Sequence, residues 1–172
     1  NCWELRASNA FKQSLGSLGS LHENYMLYNY NSIQQRDGKL NESDSWNSSI
    51  IAEYKNAIKA RFVNFGYNYS WTENTLLNNY LYNADASTIL QVVERKNNQV
   101  SHGLNAKFSQ YFSKTKFNLE VGIHQQWMAH AQLLNNNFIQ VKNELTSIHA
   151  EIKYRKISWL TLEYKYNWLN YI

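Results

Sequence analysis

Apolar side chains recur at every second position over much of this chain. In residues 99–127 (QVSHGLNAKFSQYFSKTKFNLEVGIHQQW), Leu104, Ala106, Phe108 and Phe112 fall on one face, and Ser101, Gly103, Asn105, Lys107 and Ser109 on the other. After a polar break at Ser113–Lys116 the alternation resumes. Phe117, Leu119, Val121, Ile123 and Trp127 then oppose Asn118, Glu120, Gly122, His124 and Gln126. A helix needs apolar residues three and four apart, whereas period two is the signature of a strand with two unlike faces. Each arm exceeds ten residues. An average soluble strand has ~5–6 residues, and a tilted membrane-spanning strand needs ~9–11. The two arms read as one hairpin of a transmembrane β-barrel.

The same unit is expected elsewhere. Trp3–Phe11 alternates weakly and reads as a strand, Lys12–Asn24 as a loop with room for one helical turn, and Tyr25–Gln35 as an aromatic strand segment. Arg36–Ser45 is polar with a turn signal at Asp37–Gly38, so Gln13–Ser45 as a whole reads as a long outer loop. Trp46–Lys55 is a strand and Asn56–Lys59 a tight turn. Ala60–Thr75 has the cleanest pattern, with Val63, Phe65, Tyr67, Tyr69 and Trp71 opposite Asn64, Gly66, Asn68, Ser70 and Thr72. Its rings resemble part of an interfacial aromatic girdle. Leu76–Asn98 is expected to be a second long connection, within which Ser87–Lys96 projects as a strand above a membrane. Met128–Asn137 reads as an outer loop, Phe138–Arg155 as a strand, Lys156–Ser158 as a turn, and Trp159–Tyr171 as a strand carrying Leu160, Leu162, Tyr164, Tyr166 and Trp168 on one face. The expectation is an all-β, antiparallel transmembrane barrel segment of long hairpins. About seven strands are too few and too open-ended to close a large barrel.

Composition sharpens this picture. None of the 172 residues is proline, which suits long paired strands because proline cannot donate to a ladder. Aromatics reach 15 %, with 13 Tyr and 6 Trp, yet mean hydropathy is negative. A wall with one face in lipid and one in water combines those two properties. The formal charge of +4 is spread without a run of like charges, which gives no nucleic-acid footprint. The single cysteine, Cys2, excludes an internal disulfide framework and a cysteine zinc site. The chain reads as one segment, 1–172, of a longer secreted protein.

The stretch AEYKNAIKARFVNFGYNYSWT, a tyrosine-bearing strand followed by an N-x-I-K-like turn and an alternating aromatic strand, resembles the barrel of Bacteroidetes-type TonB-dependent outer-membrane receptors. LNAKFSQYFSKTKFNLEVG and SWLTLEYKYNW are similar to later hairpins of such barrels. The family's turn carries proline where this chain has Ala57. The resemblance implies part of an importer, in a Gram-negative outer membrane, for a nutrient too large for porins. It further implies a plug and remaining strands in the parent chain, an energy-coupling partner of the TonB type and a surface lipoprotein as a further partner. It transfers no individual functional residue.

Chemistry candidates are sparse. No H-E-x-x-H, C-x-x-C, phosphate loop or G-x-S-x-G elbow is present, so no catalytic role, metal or cofactor is expected. Of the histidines His22, His102, His124, His130 and His149, His124 shares a face with Glu120, and His149 with Glu151. A metal site can be built from such a set, but polar lumen lining is the plainer reading. Charges on that face alternate in sign and suit cross-strand pairing. Tyr25, Tyr28, Tyr30, Tyr80 and Tyr82 in the long connections are candidate ligand-binding residues, able to stack on sugars or to pack within the loops. A lining of tyrosine, Asn and Ser favours a glycan or peptide over an anionic iron chelate. Two other classes stay open: a soluble β-sandwich that binds glycans, with ~5–6-residue strands, and a small structural outer-membrane barrel of about eight strands.

Overall fold

The computed structural model describes residues 2–16, 24–35, 39–84, 87–157 and 159–172. These residues form one sheet and no helix. The strands are β1 (Cys2–Leu15), β2 (Tyr25–Asn29), β3 (Ser32–Gln35), β4 (Glu42–Asn56), β5 (Arg61–Tyr82), β6 (Thr88–Phe112), β7 (Phe117–Leu134), β8 (Asn137–Ile157) and β9 (Leu160–Tyr171). The main path is β1-β4-β5-β6-β7-β8-β9, every step antiparallel. The sheet is open, with β1 and β9 at its edges.

Period-two alternation sets the two faces, and the register carries them across the sheet. Phe65 lies opposite Ala52 and Ala106, Ala106 opposite Ile123, Ile123 opposite Ile148, and Ile148 opposite Trp168. Val63 continues through Phe108, Val121, Ala150 and Tyr166. Val63, Phe65, Tyr67, Tyr69, Trp71, Phe117, Leu119, Val121, Ile123, Leu160, Leu162 and Tyr164, the positions expected to face lipid, share one face of the sheet by alternation and register. The apolar band does not follow the rows. In β5 it extends to Trp71, but on β8 the same rows carry Thr146, Glu144 and Lys142. The band therefore slopes across the strands.

Among the described residues no second layer covers this face. Leu77 and Leu133 are the only buried hydrophobic side chains among the described residues, while Phe65, Val121, Ile123, Trp127, Leu162 and Tyr164 are exposed. A sandwich would bury such a face against another sheet.

Four-residue turns close one end at 57–60 and 113–116, and each ends on a left-handed residue, Ala60 (φ 45°) and Lys116 (φ 55°). The Asn56 carboxamide accepts from Lys59 N at 3.0 Å. The short turn expected at Asn56–Lys59 is thus found one residue later.

At the other end three expectations need correction. Gln13–Ser45 is not one loop: β1 runs to Leu15, β4 starts at Glu42, and the hairpin β2–β3 lies between them. The possible helical turn falls partly in 17–23, outside the described residues. Leu76–Asn98 is not a long connection either, because β5 and β6 continue through it and only 83–87 links them. A register shift between Asn74 and Leu76 interrupts the strict alternation and mimics a strand end. Met128–Asn137 is strand up to Leu134, closed by Asn135 and Asn136 at φ 47° and 65°. Two consecutive left-handed residues are what a type I′ hairpin requires, and asparagine tolerates them. Ser87–Lys96 does prove to be strand, as the first part of β6.

Candidate functional site: a carboxamide-lined cleft at the turned-over hairpin tip

Above the register shift, the order of strands changes. Up to Asn74, β5 has β4 on one side and β6 on the other, and β6 in turn meets β7 from Gln99. Beyond it, β5 pairs in parallel with β7 (Asn79↔Leu133, Tyr80↔Leu134), and β6 pairs in parallel with β3 (Ser32↔Thr88 to Gln35↔Gln91). The β5–β6 tip has turned over about its own axis. Two-stranded ribbons twist strongly, and a bulge adds to the twist, so the change sits where both coincide.

Carboxamides hold the distortion in place. Asn74 faces Asn97, but Leu76 faces Glu94, so Thr75 stands against two residues of β6. Asn97 Nδ2 donates to the Leu76 carbonyl at 2.7 Å and to that of Arg95 at 3.0 Å. The Asn41 side chain accepts from Leu76 N and donates to Asn74 Oδ1, each at 3.2 Å. Glu42 N donates to Thr75 Oγ1 at 2.9 Å.

A second clamp ties the tip to the β7–β8 turn. Asn79 is completely buried, and its Nδ2 donates to Asn136 Oδ1 at 2.7 Å and Gln91 Oε1 at 3.3 Å. Asn136 N donates back to Asn79 Oδ1 at 3.2 Å. Asn135 N donates to the Tyr80 carbonyl, and Asn135 Oδ1 accepts from Tyr82 N, both at 2.9 Å. A buried carboxamide is stable only when its donors and acceptors are matched, and Asn79 meets that condition.

Where β6 parts from β7, a cleft of about 400 Å³ opens. β5 lines it with Asn74, Leu76, Asn78 and Tyr80, β6 with Val92, Asn97 and Gln99, and β7 with His130, Ala131 and Gln132. Gln34, Lys39 and Asn41 close the remaining side. Among the described residues Lys39 is the only charged one in this lining, and it is ion-paired with Glu94. His130 Nδ1 is buried and has no hydrogen-bond partner among the described residues. The arrangement can donate and accept hydrogen bonds at many points while offering no excess charge.

Of the tyrosines singled out in the sequence, Tyr80 borders this cleft. Tyr25 and Tyr30 stand 65 % and 91 % exposed on the β2–β3 hairpin, and Tyr82 is 56 % exposed at the end of β5. None of these three lines the cleft, and the Tyr28 side chain lies outside what the structure describes, as does His22. The sequence reading counted Asn among the lining of the long connections but singled out no individual carboxamide. Carboxamide density in NTLLNNYLYNADASTILQVVERKNNQ was the available signal.

The polar face of the sheet holds a different cluster. Glu120 lies directly opposite Glu151, and His149 Nε2 is 3.9 Å from a carboxylate oxygen of each. One ligand atom from each residue falls within 4.8 Å of the others. Lys107 Nζ takes Glu120 at 2.7 Å, and Lys153 pairs with Glu151, so these carboxylates already have cations. His149 Nδ1 pairs with Asn167 Oδ1 at 2.6 Å, and His124 Nδ1 with Asn105 Oδ1 at 2.5 Å. The ladder extends along the same face to Arg6–Glu53 at 2.8 Å and Lys165–Glu163 at 2.7 Å. Mutual neutralisation of charges on one polar face, across strands and along them, is the chemistry this arrangement performs.

No protein-family model, curated protein or solved structure matches this chain.

Proposed function

We propose that the chain is part of the wall of a transmembrane β-barrel in the outer membrane of a Gram-negative bacterium, within an importer resembling the TonB-dependent receptors. One observation carries the reading: a single sheet of long, antiparallel main-path strands presents an apolar face that nothing among the described residues covers, with the Arg6–Glu53, Lys107–Glu120 and Lys165–Glu163 ion pairs on the opposite face. A bare apolar face of this extent needs an apolar partner. Lipid supplies one, and the closely paired ladders leave few backbone groups unsatisfied within it. The soluble-sandwich alternative would need a second layer and shorter strands.

Strand length adds support. β6 has 25 residues. At ~3.3 Å per residue that is ~80 Å, against a hydrocarbon core of ~30 Å. The part of β5 and β6 beyond Asn74 and Asn97 would project outside the bilayer and hold the cleft on the outer side. The open edges would pair with further strands of the parent barrel. A plug, an energy-coupling partner of the TonB type and a surface lipoprotein complete the proposal on the strength of the resemblance alone. Glycan or peptide cargo remains the expectation over an anionic iron chelate, and no enzymatic step is assigned.

Spin labels test the membrane reading. A label replacing Phe65 is expected to be accessible to oxygen and shielded from a water-soluble nickel chelate in lipid bilayers, and a label replacing Asn64 the reverse. Water exposure at Phe65, or a monodisperse protein that stays in solution without detergent, overturns the reading.

A further inference from the structure

We infer that the cleft between the turned-over β5–β6 tip and β7 is a binding site for a neutral, hydroxyl-rich ligand of the saccharide type. The inference deepens the proposed function and rests on it for the side from which the ligand arrives. The binding chemistry itself comes from the cleft.

Three features point the same way. Carboxamides dominate the lining; those of Asn41, Asn74 and Asn97 hold the backbone, while Gln34, Asn78 and Gln132 carry both donors and acceptors. A hydroxyl also does both, so a polyol satisfies such a lining in many orientations, whereas a carboxylate or phosphate satisfies only its donors. Charge is the second feature. Lys39 is paired with Glu94, so among the described residues no arginine or lysine cluster is available for an anion. The third is His130 Nδ1, a buried polar atom in the wall with no partner among the described residues. Leaving such an atom unpaired is costly, and a turn of the ring that brings it to the cleft surface lets a ligand hydroxyl remove the cost. Tyr80 supplies one ring edge or face for a sugar C–H surface.

An extended peptide fits less well. Such ligands add to a free strand edge and place side chains in apolar pockets. Here β5 and β7 already pair with each other at Asn79–Tyr80, and Leu77 is buried in the junction. The site is also pre-formed, because the Asn79 and Asn97 networks fix the surrounding backbone. Pre-organisation lowers the ordering cost of binding.

The test is calorimetric titration of the detergent-solubilised protein with neutral oligosaccharides (malto-, xylo- and mannohexaose), an anionic one (a galacturonate hexamer) and an uncharged Gly-Ala-Ser peptide. At least one neutral sugar is expected to bind, and the galacturonate and the peptide are not. His130→Phe and Gln132→Ala should each weaken that binding about tenfold, the worth of one hydrogen bond near the upper end of its range. His130→Asn, which returns a polar nitrogen close to Nδ1, should stay within about threefold. Unchanged circular dichroism in each variant separates lost contacts from lost structure. Absence of binding by all three neutral sugars, equal binding of the peptide, or affinity indifferent to both variants overturns the inference. A sugar-binding protein with Phe65 exposed to water would overturn the membrane reading and leave this inference standing. Lipid at Phe65 with no sugar bound would do the opposite.

Discussion

At the residue scale, the unlike demands on neighbouring side chains are the clearest result. Val63 and Val121 sit on one row of the apolar face, joined through Phe108, while Asn64 beside Val63 donates to Glu53 on the polar face at 3.1 Å. Val63→Arg or Val121→Arg should each destabilise the protein in bilayers by ~2–4 kcal/mol if near the midplane. A solvent-facing exchange such as Asn68→Ser should stay within about 0.5 kcal/mol. Denaturant titration in lipid vesicles measures both, and equal costs on the two faces would contradict the assignment. Asn79 poses the converse problem of a polar group held away from water. Asn79→Leu keeps the branched shape and heavy-atom count but strands Asn136 N and the Gln91 and Asn136 oxygens. The expected cost is ~1–3 kcal/mol for each group left buried and unpaired. Thermal unfolding in micelles reads the cost, and faster amide exchange confined to Leu76–Tyr82 would place it.

At the element scale, much of the sheet was legible and its ends were not. Alternation located β4, β5, β6, β7, β8 and β9 because one apolar and one polar face repeat without interruption in residues such as 61–72 and 117–127. Register slips would move whole faces, so the pattern also fixes pairing. The strands were drawn too short wherever the alternation broke. Thr75 faces two residues of β6, which shifts the phase beyond it, and Leu133–Leu134 followed by three asparagines gives no alternation to follow. The cleft was illegible for a related reason. It depends on β5 meeting β7 and β6 meeting β3, contacts that no local pattern encodes. The Asn135–Asn136 turn gives a direct check on one of those ends. Asn135→Ala keeps a Cβ at φ 47° but loses the acceptor for Tyr82 N. It should cost about 1 kcal/mol for the left-handed backbone alone. Asn135→Gly should recover that part, which the difference in melting temperature between the two variants would report.

At the scale of the whole molecule, the sheet is a chain of neighbours apart from β1, which pairs with β4 across the β2–β3 hairpin, and one place where the order of strands itself changes. Most ladders join strands consecutive along the path, and a hairpin such as β7–β8 closes across the two residues Asn135 and Asn136. The turned-over tip is that place. Asn79 reaches Asn136 across 57 positions, and Asn41 reaches Leu76 across 35. Loop closure must be paid in entropy before such contacts reward it, which makes them slow to form. The expected assembly order is therefore hairpins first, the sloping band next and the tip last, once the β7–β8 turn exists to receive it. Pulse-labelled hydrogen exchange during refolding should find the amides of Asn79–Tyr82 protected after those of Val63–Tyr69, and the opposite order would exclude this sequence of events. Any ligand held in the cleft would then meet only finished molecules, because a partly assembled sheet does not yet possess the walls that bind it.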